Sequence, residues 1–536
     1  MLFASRFGLK LILPGFDGFS KGMMGSFAFA AVLVLWWLFF SRAAWLDRFA
    51  GLALIGAAIG LAWQFKHASM GPLWLVGYAV PGVCLALVVW AAATRHWEAT
   101  PRRAAMVVVL LVAGGVWTLF RTEGIDGDHN ASFAWRWSAT AEQQLLADAV
   151  EPTASTRRST TSAEAAPEAA AEAAPETAAE TDAETETDSG ADAEPAEAEW
   201  PGFRGAARTG IVATAQITTD WSTSPPTELW RRPIGPAWSS FAVDGDRLYT
   251  QEQRGDDEAV SAYDATTGDR LWSHLDPVRF FESNAGAGPR ATPTLTADRV
   301  VAFGATGLLN VLAADDGRAI WSTDVAADLD LAIPDWGFSS SPLVLADQVV
   351  VAAAGQLVAY DLASGDRRWS TDADATSYSS PHPVTLDGVE QVLLPRGAGL
   401  ISVSPQGTVL WEHEWPGFPM TQPAVTAGGD LLLTASSASG VRRLAPRRAG
   451  DAWQVEERWT SIRLKPYFND FVVHGDQAYG FDGRILACIE IADGQRCWKG
   501  GRYGNGQLIL LADQDLLLVL TEKGELALVR ATPERF

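Results

Sequence analysis

Seven short segments, each opening a run of alternating strands, collect the side chains best suited to chemistry. They are Trp238-Ser-Ser240, Arg290-Ala-Thr-Pro293, Phe338-Ser-Ser-Ser-Pro342, Tyr378-Ser-Ser-Pro381, Met420-Thr-Gln-Pro423, Tyr467-Phe-Asn469 and Arg502-Tyr-Gly-Asn505. Trp238, Arg290, Trp336, Tyr378, Tyr467, Arg502 and Tyr503 fall at or beside these openings, with Lys465 nearby. If the units form a ring, each opening lies near the axis, and residues far apart in sequence become neighbours. Several aromatic faces and three cations on an acidic chain suit a flat anionic ligand, held by stacking and charge-assisted hydrogen bonds. The same residues could equally pack around the axis and pair with carboxylates, since ligand pockets are few per protein. Both readings remain open at this stage.

A recurring terminus supports the ring. Ala262-Tyr-Asp-Ala-Thr-Thr-Gly268-Asp-Arg-Leu-Trp272 is matched by units ending Gly317…Trp321, Gly365…Trp369, Gly407…Trp411 and Gly494…Trp498, with a degenerate copy ending at Trp459. The period of about 40–50 residues is that of a four-stranded propeller blade. Short alternating runs such as 246–251 and 348–353, bounded by Asp and Gly, read as strands. The expected fold is therefore an all-β propeller of about seven four-stranded blades over residues 200–536. Trp272, Trp321, Trp369, Trp411, Trp459 and Trp498 are read as structural, each docking a large flat side chain between blades. The last unit has no terminal Trp, and Trp230 supplies one from the N-terminal side, closing the ring and removing sheet edges.

The Ala-x-Asp-x-x-Thr-Gly-x-x-x-Trp unit resembles the tryptophan-docking repeat of the pyrroloquinoline quinone (PQQ) propellers. That group spans quinoprotein alcohol dehydrogenases and outer-membrane-assembly lipoprotein propellers, and Trp200-Pro-Gly-Phe-Arg-Gly205 is similar to segments of PQQ-binding-like repeat proteins. The resemblance implies the fold for residues 200–536. It also brings in PQQ as a cofactor, a planar tricarboxylate suited to the aromatic and basic openings. The sequence departs from the dehydrogenase pattern: no two cysteines are adjacent, and no Asp/Glu/Asn cluster matches a calcium site. Such a fold hosts enzymes and scaffolds alike.

Residues 1–121 form a different kind of domain. The runs 22–40, 49–65, 72–94 and 104–120 are apolar, free of charge and long enough to span a bilayer, which predicts four transmembrane helices. Residues 2–16 are also rather apolar and would make a fifth. Arg42 and Arg48 in one loop, with Arg95, Arg102 and Arg103 in another, place those loops inside and the C-terminal domain outside. Spans without ionisable residues favour an anchor over an ion pathway. In the juxtamembrane segment 122–150, Thr140 and Gln143 have capping-box spacing before a short helix. The stretch 151–199 is mostly Ala, Glu, Thr, Pro, Asp and Ser, predicting a disordered acidic spacer that lifts the propeller off the membrane.

The net charge of −23 without basic stripes argues against nucleic acid. The three cysteines and scattered histidines offer no metal spacing, so no metal is expected. Cys488 and Cys497 flank a turn symmetrically, and an oxidising compartment would permit a disulfide. The expected protein is a multi-pass member of a bacterial inner membrane, its propeller extracytoplasmic. It would bind or scaffold envelope proteins or a flat anionic small molecule. The alternative is a PQQ-dependent membrane dehydrogenase passing electrons to quinone.

Overall fold

In the apolar third, length and composition dictate helices. The computed structural model describes residues 15–41, 43–127, 130–150, 199–373, 376–436 and 439–536. It has helices α1 (Gly15–Phe40), α2 (Trp45–Phe65), α3 (Pro72–Ala93) and α4 (Ala99–Gly115). Among the described residues, three stretches, Gly18–Phe40, Trp45–Phe65 and Ala99–Leu119, are long and apolar enough to cross a membrane. Small residues let the helices approach: a side chain on Gly114 would strike Ala58 of α2. Trp37, Trp90, Val83, Leu87, Met106 and Leu110 form the bundle core. The helix considered for 2–16 and the acidic spacer over 151–198 lie outside the described residues.

An antiparallel hairpin follows the last span: β1 (Phe120–Ile125) and β2 (Ala131–Trp135). Helix α5 (Ala141–Val150) comes next, its start fixed by a reciprocal capping box. Thr140 N–H donates to Gln143 Oε1 at 2.9 Å, and Gln143 N–H to Thr140 Oγ1 at 3.0 Å.

Beyond residue 199 the chain makes seven four-stranded sheets. We number these blades 1 to 7, over residues 242–276, 294–324, 343–370, 382–414, 424–461, 472–500 and 507–530. Blades 1–6 are antiparallel meanders. Blade 7 takes its inner strand, β3 (Ile211–Val212), from the N-terminal side, paired parallel to Gln507–Leu511. The core lies between blades: Tyr249 and Val260 of blade 1 meet Val300 and Leu312 of blade 2, and Phe303 meets Val349 and Tyr360 of blade 3.

The repeat tryptophans do the docking. The indole N–H of Trp272 donates to Ala314 O of the next blade at 3.1 Å, and that of Trp321 to Leu362 O at 3.0 Å. Trp369, Trp459 and Trp498 bond Pro405 O, Ile491 O and Thr532 O in the same way. Trp230 does so across the closure, to Ala265 O at 2.9 Å. Five of these rings press on a turn glycine, Trp230, Trp272, Trp321, Trp369 and Trp459 on Gly268, Gly317, Gly365, Gly407 and Gly494, while Trp498 packs on Phe536; a Cβ on Gly317 (φ +74°) would lie 2.3 Å from Trp272. Trp411 differs. Blade 5 replaces the glycine turn by a long hairpin, Val441–Ala449 with Ala452–Ser461, and Trp411 instead bonds Gln391 Oε1 of its own blade at 2.8 Å.

Cys488 and Cys497 stand as unbonded thiols on adjacent strands. Their side chains lie within hydrogen-bonding reach of each other. Cys488 pairs with Trp498 and Ile489 with Arg496, so Cys497 is the extra residue of a β-bulge. Its thiol turns to Glu490 Oε1 at 3.3 Å.

Candidate functional site

In an antiparallel meander the chain enters and leaves each blade on one face. The loops between blades and the second-to-third-strand turns therefore share that face, here the entry face, and the glycine turns share the opposite one. Hydrogen bonds across the entry face agree: Tyr378 N–H to Pro419 O at 3.2 Å, Phe338 N–H to Ala305 O at 2.9 Å, and Glu522 N–H to Tyr503 O at 3.2 Å. The blade openings thus gather at one mouth.

What they form there is aromatic rather than anion-binding. Trp336, Tyr378 and Phe418 make a three-ring cluster with centroids 5.2–5.6 Å apart. Trp238 is 62 % exposed and bonds Ala285 O through its indole N–H at 2.9 Å. Tyr467 has φ +61°, a left-handed conformation costly for a residue with a Cβ, and its ring lies 4.7 Å from Phe468. Tyr503 sits at the other end of the sequence of openings, 6.4 Å from Phe536.

The three cations do not form the shared anion site considered from sequence. Arg290 is buried, 3.6 Å from Glu282, and donates to Gly286 O, Ala287 O and Trp336 O. Burial pulls its guanidinium below the usual range, with Glu282 and Glu258 opposing. Lys465 lies 2.7 Å from the buried carboxylate of Asp482, which also holds Arg496 at 2.7 Å and Lys499 at 2.5 Å. Arg502 is exposed. A planar tricarboxylate such as PQQ needs free converging donors, and Arg290 and Lys465 have spent theirs. These residues do not fit the cofactor. Among the described residues, no group of three or more His, Cys, Asp or Glu is arranged to hold a metal ion.

The axis itself holds residues that the sequence reading missed. The segment 200–210 crosses the ring: Trp200 bridges Val243 of blade 1, and Pro201 O accepts from Leu295 of blade 2. Arg204, 3.6 Å from Asp470, donates to Phe471 O of blade 6 at 3.0 Å. Arg208, 3 % exposed, donates to Ser341 O and Pro381 O at 3.0 Å each, and to Pro342 O, joining blades 3 and 4. Both arginines have positive φ, 62° and 55°. Beside them His382 is held neutral, its pKa lowered to about 3 by burial and by Arg208 and Arg204. Two arginines in a glycine-rich stretch just ahead of the first blade were the available signal.

A family model described as "Outer membrane protein assembly factor BamB" matches residues 201–332 and 307–534, nearly the whole propeller. The chain belongs to this PQQ-type propeller-repeat family. BamB of Yersinia pestis is 22 % identical over 328 residues, covering 56 % of this chain and 70 % of that protein. BamB of Shewanella oneidensis is 33 % identical over 117 residues, 21 % of this chain and 27 % of that protein. Among solved structures, BamB from Moraxella catarrhalis is 16 % identical with a TM-score of 0.39, covering 55 % of this chain and 83 % of that one. Quinohemoprotein alcohol dehydrogenase from Comamonas testosteroni is 12 % identical with a TM-score of 0.36, covering 60 % and 76 %.

Proposed function

We propose that the chain is a non-catalytic binding or scaffolding propeller, anchored by its own helical bundle in a bacterial inner membrane and working on the extracytoplasmic side. The observation that carries this reading is the plugged axis. Arg208 spends its donors on main-chain carbonyls of blades 3 and 4, so the chain's own segment 200–210 occupies the place where a propeller could bury a small ligand. Recognition is then left to loops and outer strands, where exposed Leu271, Ile320 and Val409 offer apolar contacts to protein partners in the envelope. The relatives named as assembly factors support such a role.

A photo-crosslinker at Leu271, Ile320 or Val409 in cells is expected to give discrete adducts with envelope proteins. A reporter fused after Phe536 is expected to behave as extracytoplasmic. Purified protein given PQQ and calcium is expected to show no quinone absorbance and no dye reduction with alcohols or sugars. Dye reduction without any protein adduct would replace this reading by the quinoprotein dehydrogenase.

A further inference from the structure

We infer that the entry face of the propeller lies on the surface of the bilayer that the helices enter, with apolar loop tips of Ile333, Phe418 and Ile462 in the headgroup layer. The inference rests on the membrane reading of the N-terminal helices and adds the orientation and contact surface of the propeller.

The direction comes from the hairpin. Its base is bound to the end of the bundle: Thr122 N–H donates to Ser69 Oγ at 2.9 Å, and Thr122 Oγ1 to Ser69 O at 2.6 Å, in the loop joining α2 and α3. Arg136 reaches Phe65 O and Thr118 O, at the ends of two helices, at 3.3 and 3.1 Å. Its tip is bound to the propeller. Ile125 N–H donates to Asn284 O at 3.1 Å, and Gly127 N–H to Glu522 Oε1 at 2.6 Å. Asn284 lies in the loop between blades 1 and 2, and Glu522, in the turn joining Leu516–Leu520 to Leu526–Arg530, bonds Tyr503 O of the loop between blades 6 and 7; both belong to the entry face. From Thr122 to Ile125 is three residues of strand, about 10 Å. The interfacial layer on each side of a bilayer is roughly 5–8 Å thick, half the difference between its full and hydrocarbon thickness. The entry face is thus held at headgroup level.

Apolar side chains on the entry face fit that placement. Ile333, Phe418 and Ile462 are 47 %, 41 % and 65 % exposed, and each stands in a loop between blades, on the entry face. Exposed apolar residues scattered singly are ordinary; these share the one face directed at lipid. At the hairpin base, exposed Trp135 and Trp137 stack at 5.1 Å, the amphipathic pair expected at an interface.

The test uses the full chain in liposomes of phosphatidylcholine and phosphatidylglycerol, with a fraction of lipids carrying a spin label near the headgroup. An environment-sensitive fluorescent amino acid is placed singly at Phe418, Ile462, Val409 or Val112. Val409, on an outer strand, reports solvent, and Val112, exposed on α4, reports the span. Labels at 418 and 462 are expected to be quenched at least threefold more than at 409. Quenching at 112 with 418 and 462 no different from 409 would overturn the inference and leave the anchor standing, and the entry face would then belong to a protein. No quenching at 112 would overturn the membrane reading and this inference with it.

Discussion

Glu142 of α5 receives both terminal nitrogens of Arg279, at 2.7 and 2.8 Å, and also the Gly255 N–H of blade 1 at 3.0 Å. The pair joins the juxtamembrane helix to the propeller, and the carboxylate holds the Arg279 guanidinium above its usual range. This contact precedes the acidic stretch, so residues 120–150 themselves hold the propeller to the bundle. Glu142 is the more buried partner, which favours a coupling near the upper end of the ~0.2–1 kcal/mol measured for exposed pairs. Glu142→Ala is expected to speed hydrogen exchange across residues 141–150 and at Gly255 by several-fold while the blade strands exchange as before. Unchanged exchange in α5 would mean that the pair holds nothing.

Two buried groups give the propeller opposing pH dependences. The Glu258 carboxyl is pushed up to about 7, chiefly by burial, with Asp276 adding and the Ala305 N–H and Arg290 opposing. Its unfolded value lies near 4.5, so the folded state keeps a proton that the unfolded state has lost, and stability falls as pH rises from about 4.5 to 7. His382 runs the other way. With its pKa lowered to about 3, it takes up a proton only in the unfolded chain between 6.5 and 3, so stability falls as pH falls through that range. Between about 4.5 and 6.5 the two slopes largely cancel. Glu258→Gln is expected to unmask a steady rise from pH 3 to 6.5 and to exceed the parent by about 3 kcal/mol at pH 8, measured by urea unfolding. A variant no more stable than the parent at pH 8 would show that Glu258 ionises without penalty.

The propeller was legible because its repeats are docking units: a Trp on one outer strand meets the Gly turn of the next blade, and both halves recur at fixed spacing. The exception was legible in principle, since residues 441–461 lack the turn glycine at the expected place and Trp411 consequently has no carbonyl to bond. The commitments of the site residues were not legible. Arg290 reads as a free cation until its loop folds back to bring Glu282 beside it, and Lys465 until Asp482 arrives from the next blade. Burial and pairing are tertiary facts, which periodicity does not carry. The same holds for Arg208, whose partners lie more than 130 residues away.

The two thiols of blade 6 are neighbours, and their state can be read directly. Cys488 is buried and burial raises its pKa, while Cys497 is partly exposed. Mass spectrometry without reductant is expected to find both thiols free. Maleimide should modify Cys497 in the folded protein and Cys488 only after unfolding. A mass two hydrogens lower, with Cys84 but neither Cys488 nor Cys497 labelled in denaturant, would mean that the two sulfurs are bonded.

The docking of tryptophan on glycine can be separated from the backbone preference of glycine alone. Gly317 and Gly388 have nearly the same positive φ, 74° and 76°, so a Cβ at either pays a similar left-handed cost of about 1–2 kcal/mol. Their surroundings differ. A Cβ at Gly388 meets nothing within 4 Å, whereas at Gly317 it would lie 2.3 Å from the Trp272 ring. Trp272 cannot retreat without giving up its bond to Ala314 O and its place between blades 1 and 2. Gly317→Ala is therefore expected to destabilise the propeller by about 1–3 kcal/mol more than Gly388→Ala, the usual cost of overpacking. In a Trp272→Ala background, itself less stable by about 3–5 kcal/mol, the extra cost of Gly317→Ala should vanish. Equal costs for the two glycines, or an undiminished cost in that background, would show that the ring does not rest on the turn.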